Sequence, residues 1–192
     1  VLHELTACLK NFHGPVISMN SEISGVKSII PDNVNAGRLA AKHLLECGMK
    51  APAMICGPED RLSSLRRFEG FSRELAKHGI DLPREHLRFG PFTFENGYRN
   101  AEEILKVFPE VDGIFCANDY IAAGAISKLL SLGKKVPQDV KVLGFDDRDF
   151  ASFWQVPLST FRQPLEEIGI LAATTLKDCI EKKEYLDRKS VV

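Results

Sequence analysis

The chain has 192 residues, 44% of them apolar and 27% charged, a composition that predicts a water-soluble globular protein of one large domain or two small lobes. Its formal net charge of −1 offers no basic surface to nucleic acid, and no apolar run approaches the roughly 20 residues that a membrane-spanning helix needs. The five cysteines (Cys8, Cys47, Cys56, Cys116 and Cys179) are odd in number and contain no C-x-x-C pair, so they read as buried free thiols in a reducing compartment.

Leu2, Leu5 and Leu9 mark one face of a helix that ends near Asn11; the segment has no starting Met and reads as part of a fragment, not as a signal peptide. Pro15–Met19 is a short apolar strand, Asn20–Gly25 a polar loop, and Val26–Ile30 a brief extended segment. A helix follows from about Asn35 to Cys47, with Leu39, Ala40, Leu44 and Leu45 facing inward and Gly48 as its stop. Pro52–Cys56 is the next strand. After a polar loop, a helix from about Leu65 to His78 buries Leu65, Phe68, Phe71, Leu75 and Ala76, and Gly79 ends it. The pattern then repeats with a strand at His86–Phe89, an aromatic loop holding Phe92 and Phe94, and a helix carrying Tyr98, Ala101, Ile104, Leu105 and Phe108.

The stretch from Val111 to Asp147 organises the rest. Two apolar runs, Gly113–Ala117 and Val140–Phe145, bracket a helix with Ile121, Ala122, Ala125, Ile126, Leu129 and Leu130 at spacings of three and four; Gly133 closes it. Each run ends abruptly in polar residues, Asn118-Asp119 and Asp146-Asp147. In such a β-α-β unit, residues just past the carboxyl ends of the strands face the crevice where open α/β sheets bind ligands. Arg148–Pro157 is irregular and contains the single Trp, Trp154. Ser159–Arg162 is a short strand, and Pro164 opens a last helix that buries Leu165, Ile168, Leu171, Ala172, Leu176 and Ile180. The tail at 182–189 is charged. Strands alternating with helices predict an α/β protein with doubly wound parallel sheets. Residues 50–162 make one lobe. Residues 1–49 and 163–192 are left to form a second, incomplete lobe in which one strand is convincing.

Several segments in this order resemble the lac-repressor (LacI) family of bacterial transcription regulators: PDNVNAGRLAAKHLLECG, the stretch from GP to RRFEGF at 57–71, FENGY at 94–98, CANDYIAAGAI at 116–126, KVPQDVKVLGFDD at 135–147 and PLSTFRQPLEEIG at 157–169. The match covers nearly the whole chain. It implies the two-lobed periplasmic-binding-protein-like fold, here with its first lobe incomplete. It also implies a small effector held between the lobes (a sugar, a sugar derivative or a purine), a homodimer in the cytoplasm, and operator DNA bound through an N-terminal helix-turn-helix domain that this chain does not contain. No cofactor is implied. The rival reading with the same fold is a periplasmic sugar-binding receptor of a transporter; the upstream sequence, helix-turn-helix or signal peptide, separates the two.

The candidate ligand residues follow from position and from the resemblance. Asp146 ends an apolar strand, and a carboxylate there accepts hydroxyl hydrogen bonds strongly; the competing role is a turn cap, which we assign to Asp147. Asn118 occupies the matching place on the adjacent unit with both donor and acceptor, while Asp119 begins a helix and reads as its cap or dipole partner. Arg67 matches the arginine that contacts effector in the resembled family, and its fork suits ring hydroxyls or a carboxylate; Arg61 and Ser63 in the preceding loop are weaker candidates. Phe92 matches a position where an aromatic ring covers the effector, against the simpler role of a plug beneath the loop. Asn20 and Asp32 are candidates from the other lobe, although sugar-binding members often carry Asp where Asn20 stands. Gln163, at the predicted crossing between lobes, is within reach of a ligand or is a hinge contact. No G-x-S-x-G elbow, P-loop or H-E-x-x-H is present, the five His are dispersed, and the Asp146-Asp147 side chains should diverge; the chain does not read as an enzyme.

Overall fold

Two parallel sheets of unequal size carry the chain in a computed structural model that describes residue 12 and residues 14–181. The predicted first helix and the charged tail lie outside the described residues. Two compact units are present. One comprises Asp32–Gln163, and the other the residues up to Pro31 and from Pro164 onward.

In the larger unit the elements are α1 (Asn33–Glu46), β3 (Pro52–Ile55), α2 (Leu62–Lys77), β4 (Leu87–Arg88), α3 (Phe94–Val107), β5 (Gly113–Cys116), α4 (Asp119–Ser131), β6 (Lys141–Asp146) and β7 (Ser159–Arg162). The five strands are all parallel, in the order β4-β3-β5-β6-β7. Strands β3 and β5 are buried along their whole length, because helices cover both faces and successive side chains point to opposite ones. Met54, Phe115 and Leu143 meet α1 and α2 through Ala40, Ala41, Leu44, Phe71 and Leu75. Ile55, Ile114, Cys116 and Val142 meet α3 and α4 through Ala101, Ile104, Ile121, Ala125 and Leu129. Three of the four helix starts are capped by side chains: Asp32 Oδ1 accepts from the Asn35 amide at 2.9 Å, Thr93 Oγ1 from Asn96 at 3.3 Å and Asn118 Oδ1 from Ile121 at 2.9 Å. The helix stops predicted at Gly48, Gly79 and Gly133 all have positive φ, the left-handed conformation that glycine adopts without strain.

The smaller unit holds β1 (Ile17–Met19) and β2 (Lys27–Ile29), paired in parallel with Ile17 opposite Lys27 and Met19 opposite Ile29. Helix α5 (Leu165–Glu181) closes one face of this pair by packing Ile168 and Ala172 on Ile29 and Ile17. Two sequence expectations are corrected here. The brief segment at Val26–Ile30 contains a true strand, so the smaller unit has two strands and not one. The boundary drawn at residue 49/50 falls at 31/32: α1 belongs to the larger unit, because its buried face covers the five-stranded sheet and crosses α2. Among the described residues, no helix is long and apolar enough to cross a membrane.

Candidate functional site

The carboxyl end of β6 departs from regular strand geometry. Asp146 has φ +125° and Asp147 φ +56°, two successive non-glycine residues in a region that L side chains avoid. Surrounding groups hold this turn. The Asp147 amide donates to Thr160 Oγ1 at 3.3 Å, and the Arg148 amide donates to Asp119 Oδ2 at 2.7 Å. Thr160 Oγ1 in turn donates to Asp119 Oδ1 at 2.6 Å. The Asp146 and Asp147 side chains diverge as expected: Asp146 Oδ1 accepts from Gln163 Nε2, whereas Asp147 Oδ2 pairs with Arg162 Nε at 2.6 Å. Asp147 is therefore an ion-pair partner and not the cap proposed from sequence. Arg148 Nε lies 3.8 Å from Asp146 Oδ2. Burial pushes the Asp146 carboxyl above the usual aspartate range, against the opposing effects of the Gln163 hydrogen bond and the Arg67 charge.

Arg67 reaches this region from the second turn of α2. It is 5% exposed. Its Nε donates to Asn33 Oδ1 at 2.9 Å, its Nη1 donates to the Ala117 carbonyl, and its guanidinium carbon sits 3.6 Å from the centroid of the Phe145 ring. Among the described residues no carboxylate lies within ion-pair distance of it, and burial lowers its pKa to about 10 while Asp146 acts to raise it. A desolvated guanidinium stacked on an aromatic ring and hydrogen-bonded on one edge retains free N–H donors on the other. Three strands thus contribute at one end of the sheet: β5 through Ala117 and Asn118, β6 through Phe145 and Asp146, and β7 through Thr160 and Gln163.

Phe92 approaches the same end from the β4–α3 loop. Its ring lies against Gly57, just past β3, where a Cβ would fall 2.2 Å from a ring carbon, and it packs on the core cluster that includes Ile55, Ala117 and Ile121. Because Ile55 pairs with Cys116, Gly57 and Ala117 share the carboxyl edge.

The remaining candidates are distributed differently. Asn118 is buried and its Oδ1 caps α4, which leaves Nδ2 as the atom available to a ligand. Asp119, expected to cap the helix or to face its dipole, is not the cap but the first helical residue, and its carboxylate is fully buried. Asp32 stands in the larger unit and not in the other lobe, where it caps α1 with an exposed carboxylate. Asn20 belongs to the smaller unit, exposed at φ +60°, with its amide donating to the Ile29 carbonyl at 3.0 Å. Arg61 is exposed and Ser63 half-buried at the start of α2, and neither side chain hydrogen-bonds among the described residues. Sequence reasoning missed Asn33, Thr160 and the structural weight of Asp119. Of these, only Asn33 carried a signal, through its place beside a capping Asp. Of the cysteines, Cys56 and Cys116 are buried with raised pKa, Cys56 to about 12, and their burial makes them inert; Cys47 is exposed, contrary to expectation.

Residues 41–192 match the profile of the periplasmic binding protein-like domain. The chain is 34% identical over 149 residues to the HTH-type transcriptional regulator CelR of Thermobifida fusca, covering 78% of this chain and 44% of that protein. It is 32% identical over 171 residues to the HTH-type transcriptional repressor PurR of Haemophilus influenzae, covering 88% of this chain and 51% of that protein. The chain therefore spans about half the length of the curated relatives it matches. Among solved structures, a CelR–cellobiose complex superposes with a TM-score of 0.88 at 26% identity, covering 100% of this chain and 66% of that one. Fold, profile and relatives agree: the chain belongs to the periplasmic binding protein-like domain family, and the proteins it matches over about half of their length are LacI-family and other HTH-type transcriptional regulators.

Proposed function

We propose that this chain is the effector-binding and dimerisation core of a DNA-binding transcriptional regulator, and that its effector is a small polyhydroxyl molecule, a sugar or sugar derivative or the ribosyl part of a purine nucleoside. The observation that supports this most is the meeting of Arg67, Asn118, Asp146 and Gln163 at the carboxyl ends of β5, β6 and β7, with the unpaired Arg67 guanidinium stacked on Phe145. A hydroxyl can donate to Asp146 while accepting from Arg67, and Asn118 Nδ2 adds a second donor. Phe92 offers the apolar surface that a sugar ring needs. The matched relatives are helix-turn-helix regulators, and the solved CelR structure carries cellobiose, which favours this reading over a transporter's solute receptor.

In this reading the effector works by differential affinity for two arrangements of the protein and shifts their populations. In a homodimer that shift alters how two helix-turn-helix domains, carried elsewhere in the polypeptide, fit their half-sites on operator DNA. We place part of the dimer contact on the segment after β6, where Phe153 is 73% exposed and the neighbouring Phe150 ring packs against Tyr120 and Trp154. Sedimentation of the full-length protein as a dimer, weakened by Phe153→Ser, is the expected result.

The test of the site is calorimetry on the full-length protein, first across a panel of mono- and disaccharides, hexuronates and nucleosides, then with Asp146→Ala against the best binder. The substitution should cost roughly 2–4 kcal/mol of binding, the range for removing one partner of a buried charged hydrogen bond. Unchanged affinity would overturn the assignment.

A further inference from the structure

We infer that Asp119 and Thr160 are positioning residues of the effector site: together they hold the left-handed turn that presents Asp146. The inference rests on Asp146 being the effector carboxylate, and it assigns a purpose to a buried carboxylate and a half-buried hydroxyl outside the ligand set.

Asp119 stands in the first turn of α4, where the helix dipole favours an acid, but it is not the cap. The cap of α4 is Asn118, whose Oδ1 already accepts from the Ile121 amide. A fully buried carboxylate is costly unless its oxygens are satisfied. Here its partners all belong to the chain on either side of Asp146 or to the strand beside it: the backbone of Phe145, the Arg148 amide at 2.7 Å and the Thr160 hydroxyl at 2.6 Å. Thr160 completes the bracket, since the oxygen that donates to Asp119 also accepts from the Asp147 amide at 3.3 Å. The amides on both sides of Asp146 are thereby tied to one carboxylate–hydroxyl pair. Strand β6 also makes room for it. At Gly144 a Cβ would fall 2.3 Å from Asp119 Oδ1, so the residue two before Asp146 has no side chain. Two successive positive φ angles persist only where surrounding contacts over-determine them, and these contacts do so. With the bracket removed, the turn relaxes to ordinary φ values and the Asp146 carboxylate leaves Gln163 and the neighbourhood of Arg67 for solvent.

Thr160 is the residue to test, because removing the Asp119 charge would itself alter the titration of Asp146. In the full chain labelled with carboxyl-13C aspartate, Thr160→Val should move the Asp146 titration down toward that of an exposed aspartate. It should also speed exchange of the Asp147 amide by about tenfold, the factor that one net hydrogen bond is worth. Thr160→Ser, which restores the hydroxyl, should return both to wild type. A merely structural threonine would leave the Asp146 titration where it is. An unchanged titration in a folded Thr160→Val, or a Thr160→Ser that rescues neither signal, overturns the inference. Should Thr160→Val not fold, the wild-type protein alone decides: unprotected Asp147 and Arg148 amides overturn the inference, and protected ones with Asp146 titrating above an exposed aspartate support it. No effector enters the measurement, so failure here is distinct from failure of Asp146→Ala to weaken binding.

Discussion

The two helix pairs that flank the large sheet are built on one device and put it to different ends. In α1/α2, a Cβ at Gly37 would meet the Arg67 carbonyl at 2.0 Å, and one at Gly70 would meet the Val34 carbonyl at 1.9 Å. In α3/α4, Gly97 faces the Ile121 carbonyl at 1.9 Å and Gly124 the Phe94 carbonyl at 2.0 Å on the same measure. Each glycine meets the carbonyl three residues before its partner glycine, so Arg67 and Ile121 occupy equivalent positions. Ile121 fills the core. Arg67 is nearly as buried, yet among the described residues it is a cation without an ion-pair partner. The lesson is that a close backbone crossing anchors whatever side chain sits at that position, and the first pair spends that rigidity on a functional group.

Exchanging the two side chains breaks the comparison most severely. Ile121→Arg puts an unpaired charge among Ile55, Ala101 and Ala125, and should cost more than about 4 kcal/mol, enough to abolish cooperative folding. Arg67→Ile should cost only about 1–2 kcal/mol of stability, because the orphaned Asn33 Oδ1 and Ala117 carbonyl are partly offset by relief of a desolvated charge; effector binding should be lost. Urea unfolding reads both. Equal costs would mean that the two positions are not distinct in kind.

The glycines sharpen it. Gly70→Ala and Gly97→Ala each force a methyl into backbone that cannot yield, and each should cost about 3 kcal/mol. Only Gly70→Ala should also weaken effector binding beyond what its stability loss explains, since it moves the helix that carries Arg67. Matched losses of affinity in the two variants would remove the functional half of the contrast.

The smallest effect is a slope. Burial raises the Asp119 pKa above 3.8, with the Thr160 and Arg148 hydrogen bonds acting against the rise. The folded state therefore holds the proton more tightly than the unfolded chain, so this group's contribution is full below its unfolded pKa and lost as pH rises through the folded value. Asp119→Asn has no such group. The stability of the variant relative to wild type should improve as pH rises from the unfolded aspartate pKa through the raised folded one and then level off, and a difference that stays flat throughout would show Asp119 to be unperturbed.

Much of the fold was legible because it rests on periodicity. The spacing of Ile121, Ala125 and Leu129, and the glycine stops at 48, 79 and 133, located the helices to within a few residues. What periodicity does not encode is which sheet a helix covers, and the amphipathic pattern at 33–46 is equally compatible with either unit; its assignment depends on Gly37 meeting Arg67, a contact across 30 residues of sequence. In the site, Arg67 and Asp146 were named from their positions and from family resemblance. The capping role expected of Asp119 falls to Asn118, because a cap and the first helical residue differ by one position and nothing in the local sequence says which side chain turns inward. Thr160 was invisible, being one hydroxyl in a four-residue strand whose partner lies 41 residues earlier.

The larger unit is one uninterrupted stretch, Asp32–Gln163, whereas the smaller is assembled from segments on either side of it. That asymmetry has a consequence for biosynthesis. The five-stranded sheet and its four helices can close as soon as residue 163 has emerged. Strands β1 and β2 leave the ribosome before the larger unit does, but the helix that packs on Ile17 and Ile29 begins only at Leu165. At the usual 5–20 residues per second, these strands wait roughly 7–30 s for their cover. This strand pair is thus made before the larger unit and covered by α5 only after that unit is complete, an interval in which a nascent-chain chaperone can hold it.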